Sequence, residues 1–377
     1  MSNQYDAAVI GAGVFGAWTA LQLSRSGARV LLLDQHGPGN SRSSSGGETR
    51  IIRMCYGPDE IYTRSAIRSL DLWKGFASEI GQTLFQKTGV LLTSGATDPY
   101  LISTRETLAR VGYRFEWLDH TTLAKRFPDI VFQRGAAAVY EPDSGILMAR
   151  RSVQAVVESA QRAGVRYEPE CAQTFTGGVL RTNGGDFHAD TLVFACGPWL
   201  PKLFPKVLAG RIWPTRQPVF FFGPPSADQR FEAPQMPAWI AFREGAYAIP
   251  NCEGRGFKLA LDEHGPAFDP ETGERKITAA MLVKVRAILR KRFPALRDAP
   301  LLESRICQYE NTSNGDFLID RHPDFENVWL VGGGSGHGFK HGPFVGEYVT
   351  QQILGTGVAE PRFSLASKKT HQRRAVY

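Results

Sequence analysis

The sequence predicts an α/β protein with two domains: one binds a dinucleotide, and the other is an α+β domain containing a mostly antiparallel sheet. Three observations carry this reading: a strand, glycine turn, helix and strand that open the chain and end on an acid; a middle section of alternating, aromatic-rich strands; and a second glycine-rich turn near the other end. With 377 residues the chain can bury a large core and divide in two.

The opening stretch, Tyr5 to Asp34, reads YDAAVIGAGVFGAWTALQLSRSGARVLLLD. Ala7 to Ile10 are apolar and predict a strand that stops at Gly11, Gly13 and Gly16. Ala17, Ala20, Leu21 and Leu23 follow at helical spacing, and Val30 to Leu33 form a second apolar run that ends on Asp34. Gly11 permits the tight turn, Gly13 lets a pyrophosphate approach the backbone, and Gly16 lets the helix pack closely on the sheet. Phosphates then sit on the amides of the helix N-terminus, and Asp34 accepts hydrogen bonds from a ribose. The motif does not distinguish NAD from FAD.

After Asp34 the loop HGPGNSRSSSGGETR leads to Arg50, Ile51, Ile52 and Arg53. Ser44, Ser45, Gly46 and Gly47 offer hydroxyls and unencumbered amides to phosphates or a ring. Arg50 and Arg53, three apart, would share one face of a helix; placement beside a cofactor and simple exposure both remain open from this stretch alone.

Further along, Glu60 to Glu79 is helical by pattern, with Ile67, Leu70, Trp73 and Phe76 at three-residue spacing. Short strands are expected around Val90 to Leu92 and Ala138 to Tyr140, and a helix over Ser152 to Ala163. Strands at 165–168, 178–182 and 191–195 come next, the last running into the small-residue turn Cys196, Gly197, Pro198. The runs at 219–222, 238–242, 246–249 and 256–261 are expected to form the sheet of the second domain, followed by an amphipathic helix over Ala279 to Phe293. Strands at 304–309, 316–320 and 328–332 and a helix from Val345 to Leu354 bring the chain back. Both ends carry cofactor-like turns, so the domains are expected to be discontinuous: 1–85, 145–212 and 305–377 for the cofactor, 86–144 and 213–304 for the substrate.

The net charge of +7 owes four charges to Lys368, Lys369, Arg373 and Arg374, and the remaining basic residues are dispersed. That predicts a solvated surface and a basic tail, with no nucleic-acid partner. The five cysteines, Cys55, Cys171, Cys196, Cys252 and Cys307, are odd in number and lack CxxC or metal-ligand spacing, as expected of a reduced protein with no metal. Ser2, Asn3 and Gln4 lead straight into the first strand and no apolar run reaches membrane-spanning length, so a cytoplasmic protein without a membrane partner is expected.

The stretch ESRICQYENTSNGDFLIDRHPDFENVWLVGGGSGHGFKHGPFVGE resembles the corresponding part of the monomeric sarcosine oxidase and N-methyltryptophan oxidase family. GAGVFG, ETRIIRMCYG and the YAIP to GFKL segment match the same family in the same order, so the resemblance spans essentially the whole chain. It implies a glutathione-reductase-like FAD-binding domain, a monomer, and an oxidase of secondary, N-methyl or cyclic, amino acids that passes electrons to oxygen and releases hydrogen peroxide. Oxidation of Amadori-type or primary amino acids, or transfer to another acceptor, is the alternative.

The resemblance also implies roles for individual residues. Cys307 falls where the family joins FAD through a thioether to the flavin 8-methyl, a bond that nearby cations favour by promoting the thiolate. Arg53 and Lys340 fall on the pair that binds the substrate carboxylate, a clamp that suits an amino acid because arginine can give it two donors. Arg50 would lie beside the flavin, Lys258 over the face where oxygen reacts, and Tyr247 and Tyr309 in the substrate cavity. Gly334, Gly336, His337, Gly338 and Lys340 would bring amides and a helix N-terminus to the electron-rich edge of the reduced flavin. Two positions depart from the pattern: Ser45 and Gly46 replace a pair of histidines, and Asp262 replaces an active-site histidine. An aspartate facing the substrate would favour an added ammonium or hydroxyl, whereas one facing solvent would not matter.

Overall fold

In the Gln4–Ile10 strand the side chains alternate between two buried faces, Ala7 and Val9 on one and Ala8 and Ile10 on the other. That is the pattern of a parallel strand covered on both sides. The computed structural model describes residues 4–226 and 228–371; Ser2, Asn3, Arg373 and Arg374 lie outside the described residues. Five parallel strands run in the spatial order Arg166–Glu168, Val30–Leu33, Gln4–Ile10, Asp186–Phe194 and Phe325–Gly332. Leu318–His322 extends this sheet antiparallel at one edge, and a hairpin of Ala172–Thr176 and Val179–Thr182 joins it through Asp186–Phe194.

The helices Val14–Arg25, Ala149–Arg162 and Gly342–Ile353 cover the Ala7 and Val9 face. Phe187, Leu200, Phe204 and Leu208 close the other. The first and last of these helices meet where Gly346 passes Trp18: a Cβ on Gly346 would lie 2.7 Å from the Trp18 carbonyl carbon. Trp18 is itself buried and makes edge contacts with Trp73 and Phe76 of the Glu60–Ile80 helix.

The second sheet has the order Leu301–Thr312, Ile212–Phe222, Phe257–Leu261, Ala246–Ile249, Ala238–Ala241, Val90–Gly95, Ala136–Glu141 and Glu116–Leu118. Every pair is antiparallel except Ala238–Ala241 with Val90–Gly95, as a mostly antiparallel sheet predicts. Its two faces separate packing from chemistry. Phe220, Phe222, Phe257 and Leu259 pack against Val285 and Leu289 of the Ala279–Arg292 helix, while Val219, Phe221, Tyr247 and Lys258 take the opposite face. A three-stranded sheet of Thr49–Ile52, Gly145–Met148 and Phe85–Gln86 lies apart from the two larger ones.

Two local expectations change. Arg50 lies in the Thr49–Ile52 strand and Arg53 just beyond it, so the pair does not share a helix face; pairing with Gly145–Met148 holds this segment extended. Leu301–Thr312 pairs with Ile212–Phe222 from end to end, so the expected boundary at 304/305 falls inside one strand, and that at 85/86 inside another. Neither strand carries a composition change at the expected border that would reveal it. Among the described residues no helix is long and apolar enough to cross a membrane, and no group of His, Cys, Asp or Glu is placed to hold a metal ion.

The glycine contacts give a paired stability prediction. Gly346→Ala should lower the unfolding midpoint, because overpacking against backbone costs about 1–3 kcal/mol and exceeds the helix-propensity gain. Gly75→Ala, on the exposed side of Glu60–Ile80 with nothing within 4 Å of the new Cβ, should raise stability by about 0.5–1 kcal/mol. Thermal melts of the two variants check the opposite signs.

Candidate active site

The glycine turn after the first strand is built by close backbone approach. Gly11 has φ 105°, and a Cβ there would lie 2.4 Å from the Ala195 carbonyl oxygen; one on Gly16 would lie 1.8 Å from the Gly11 oxygen. Only glycine fits either place. Beside the turn runs a cavity of about 490 Å³, lined by Gly11, Gly13, Asp34, Ser44, Ser45 and Cys196 among others, and reaching Cys307, Gly334, Gly336 and Gly338. Gly16 stays behind it, packing helix to sheet. Asp34 Oδ2 accepts from Ala12 N at 2.8 Å and Oδ1 from His36 N at 2.8 Å. Burial raises the Asp34 pKa, and these amides act in the other direction. The slot has the glycine approach, helix N-terminus and terminal acid that a dinucleotide's phosphates and ribose require, so its residues fit FAD.

The serine loop is used in ways the sequence does not reveal. Ser45 Oγ accepts from Val14 N at 2.9 Å, so its hydroxyl oxygen serves the first helical turn, and Ser44 Oγ donates to the Gln308 carbonyl at 3.0 Å. Arg50 donates to the carbonyls of Ser44, Gly46 and Thr49, which locks the guanidinium into the loop 3.8 Å from Cys307 Sγ.

Arg50, Cys307, Tyr309 and Gly336 also line a second cavity of about 240 Å³, so the two spaces meet at these residues. This cavity brings together Arg53, Tyr247, Lys258, Asp262, His337 and Lys340. His337 and Lys340, expected at the cofactor, line this space and not the slot: the His337 ring is held by Tyr56 OH at 3.2 Å and the Gly315 carbonyl at 2.9 Å.

Lys340 Nζ donates to Tyr56 OH and to the His337 carbonyl, both at 2.9 Å. The Tyr56 ring lies under both cations, 4.6 Å from the Arg53 guanidinium carbon and 5.3 Å from Lys340 Nζ. Burial, then Arg53, pulls the Lys340 pKa well below that of an ordinary lysine. Burial acts on Arg53 too, but Cys55, Tyr100, Tyr56 and Glu141 outweigh it and hold the guanidinium charged.

On the other side Lys258 Nζ, 2 % exposed at the residue level, donates to the Thr49 carbonyl at 3.0 Å. Burial, with Arg50 and Arg305 nearby, depresses its pKa strongly. Tyr309 OH donates to Asp262 Oδ1 at 2.9 Å, which places Asp262 on the cavity wall. Burial raises the Tyr247 pKa, keeping its phenol protonated.

Sequence reasoning missed four participants. Tyr56 and His341 form a buried chain below the cation pair: Tyr56 OH lies 2.7 Å from His341 Nε2, and His341 Nδ1 lies 2.9 Å from Ser65 Oγ. Burial and the neighbouring Lys340 keep His341 neutral. Only adjacency to the RIIR and GFK segments marked them. Glu310, one residue past Tyr309, lines the cofactor slot. Tyr100 stacks on Phe242 with ring centroids 3.8 Å apart and walls the second cavity; it comes from the Pro99–Arg110 helix, a segment with no motif.

Known proteins resemble this chain along nearly its whole length. The chain is 30% identical to a monomeric sarcosine oxidase of Bacillus sp. (strain B-0618), over 97% of this chain and 96% of that protein. It is 29% identical to an N-methyl-L-tryptophan oxidase of Salmonella heidelberg (strain SL476), over 93% and 95%. Its fold is shared with the crystal structure of an L-proline dehydrogenase from P. horikoshii, at TM-score 0.86 and 22% identity over 97% of this chain and 98% of that one. The model of the FAD dependent oxidoreductase family matches residues 6–352, and the chain belongs to that family.

Proposed function

We propose that the chain is an FAD-dependent oxidase of secondary amino acids, N-methylated or cyclic, that carry a side chain with a polar end, and that oxygen accepts the electrons. The observation that carries this reading is the pair of half-buried Arg53 and buried Lys340 over Tyr56, in a cavity that joins the cofactor slot at Arg50, Cys307 and Tyr309. Two basic side chains placed together out of bulk water suit a carboxylate anion, and relatives near 30% identity are named for sarcosine and N-methyltryptophan. Tyr100, Phe242 and Ile240 leave apolar room for a side chain, and Asp262 with Tyr309 sets a polar point at which an ammonium or hydroxyl would end. The protein is further read as a cytoplasmic monomer.

In this reading Arg53 holds the carboxylate through two donors, and binding of that anion draws Lys340 toward its charged form. The clamp turns the amine toward the slot. FAD held in the slot would supply the redox chemistry, accepting a hydride equivalent from the carbon next to nitrogen while the nitrogen's proton passes to solvent. The resulting imine hydrolyses in water, giving an amine and a carbonyl compound. Tyr247 keeps its proton and acts as a donor in the apolar wall. Lys258, as ammonium, stabilises the negative charge that develops on oxygen as it is reduced to hydrogen peroxide. Cys307, whose sulfur lies 3.8 Å from the Arg50 guanidinium, would hold the flavin through the thioether.

Anaerobic bleaching of the flavin across a panel of N-alkyl, cyclic and primary amino acids tests the reading. Secondary amino acids with hydroxyl- or ammonium-bearing side chains should bleach fastest, and Asp262→Ala should erase their advantage over sarcosine, about tenfold for a lost hydrogen bond to a charged group. Bleaching by primary or Amadori-type amino acids alone would overturn it.

Lys258→Met should leave anaerobic bleaching in place and slow reoxidation by air about 10²–10³-fold. The ammonium is lost as pH rises through the depressed Lys258 pKa, so reoxidation of the wild type should fall with rising pH while that of the variant stays flat. Acid precipitation tests the thioether: yellow should stay in the pellet of the wild type and pass to the supernatant in Cys307→Ser, and a yellow wild-type supernatant rules the bond out.

A further inference from the structure

Glu310 is a buried acid that the chemistry above does not use. Its residue is 6% exposed and lines the cofactor slot, on the opposite side of its strand from Tyr309. Oε1 has no hydrogen-bond partner. The carboxyl fits there because the residue against it is Gly332, where a Cβ would lie 2.4 Å from Oε1 and 2.5 Å from Leu200 Cδ1. Its main chain is fixed as well, since Ser335 N donates to the Glu310 carbonyl at 2.9 Å. A buried polar atom without a partner is costly unless a ligand completes it.

We propose that Glu310 is a cofactor-binding residue: its carboxyl, as the neutral acid, donates a hydrogen bond to an oxygen of the hydroxyl- and phosphate-bearing linker of FAD. An ionised carboxylate would accept from a hydroxyl but repel a phosphate, and it would sit badly in an apolar wall; the neutral acid can donate to either oxygen. Burial pushes the Glu310 pKa up to about 8, against the pull of the Gly333 and Gly334 amides, so the acid form dominates at neutral pH. Cys196 lines the same slot, and burial and Asp34 keep its thiol neutral. From the paired strand Glu310 meets Pro214, which brings no charge. Asp34, His36, Arg50, Glu170, Lys202 and Glu271 line the same slot, but burial and the two backbone amides govern the Glu310 carboxyl.

The test is FAD binding to apoprotein, read by quenching of flavin fluorescence, in a Cys307→Ser background so that the cofactor exchanges whether or not the wild type forms a thioether. Between about pH 6 and about pH 10 the parent should lose about tenfold in affinity as Glu310 ionises, because a group that must be protonated to bind links affinity to pH. Above the Glu310 pKa, FAD binding should take up a proton from the buffer. Glu310→Gln, which keeps a neutral donor, should bind with no such pH slope and no proton uptake. Glu310→Ala should bind about tenfold more weakly at neutral pH with an apoprotein melting temperature no lower than the parent's. The same pH slope in the glutamine variant as in the parent, or alanine binding as tight as the parent's, overturns the assignment. If the alanine variant does not fold, the glutamine profile decides alone. None of these readouts uses an amino-acid substrate, so failure here is distinguishable from failure of the proposed activity.

Discussion

From Cys307 to Glu310 the two-residue period of the Leu301–Thr312 strand sorts side chains between the two spaces. Cys307 and Tyr309 face both the slot and the second cavity, while Gln308 and Glu310 reach the slot alone. A slip of one residue would exchange Tyr309 with Glu310 and put a buried acid where the substrate enters. The register is held by continuous pairing with Ile212–Phe222, and the end of the strand is tied to the glycine turn through Ser335. The same rule places Lys258, because Phe257 and Leu259 on either side of it commit to the packed face of the sheet. The placement of Lys258 in the cavity is thus a consequence of which side chains the Ala279–Arg292 helix needs for its core.

Charge makes the second constraint. Arg50, Arg53, Lys258 and Lys340 stand around one small cavity, and burial works against the charge of the last three. Arginine and lysine answer differently. Arg53 stays charged near Glu141, and Arg50 is bonded to three carbonyls, whereas the lysines are brought toward neutrality. In the proposed function, an arriving carboxylate would favour the charged lysines, so its binding and their protonation would reinforce each other. The Tyr56, His341 and Ser65 chain gives Lys340 a buried polar support without adding a formal charge.

Much of this was legible in the chain. The opening glycine turn, the central helices and most strands follow from hydrophobic period and glycine placement, and the segments around Arg53, Lys258 and Lys340 do converge on one cavity. What stayed hidden depends on contacts between distant segments. Nothing near Ser45 says that its hydroxyl caps a helix thirty-one residues earlier in the chain. Nothing near Arg50 says strand, because its partner Gly145–Met148 lies almost a hundred residues on. The Pro99–Arg110 helix supplies Tyr100 to the cavity through a stack on Phe242 that local pattern cannot express.

The same long-range closure makes the cofactor part of the fold's energetics. The slot is walled by the glycine turn at 11–15, the loop at 43–45, the turn at 195–199, the shared strand and the glycine run at 332–339, segments that the chain must bring together from its whole length. A ligand that binds only the closed arrangement stabilises it by mass action, and the increment grows with the logarithm of ligand concentration over its dissociation constant. Gly11, Gly16 and Gly332 let these segments approach at distances that no Cβ would permit, so the slot carries little side-chain packing of its own where they meet. The unpartnered Glu310 oxygen lies at that seam. A bound FAD that completes it would supply there the polar contact that the closely packed backbone leaves unmade, which couples retention of the cofactor to the closeness of the glycine turns themselves.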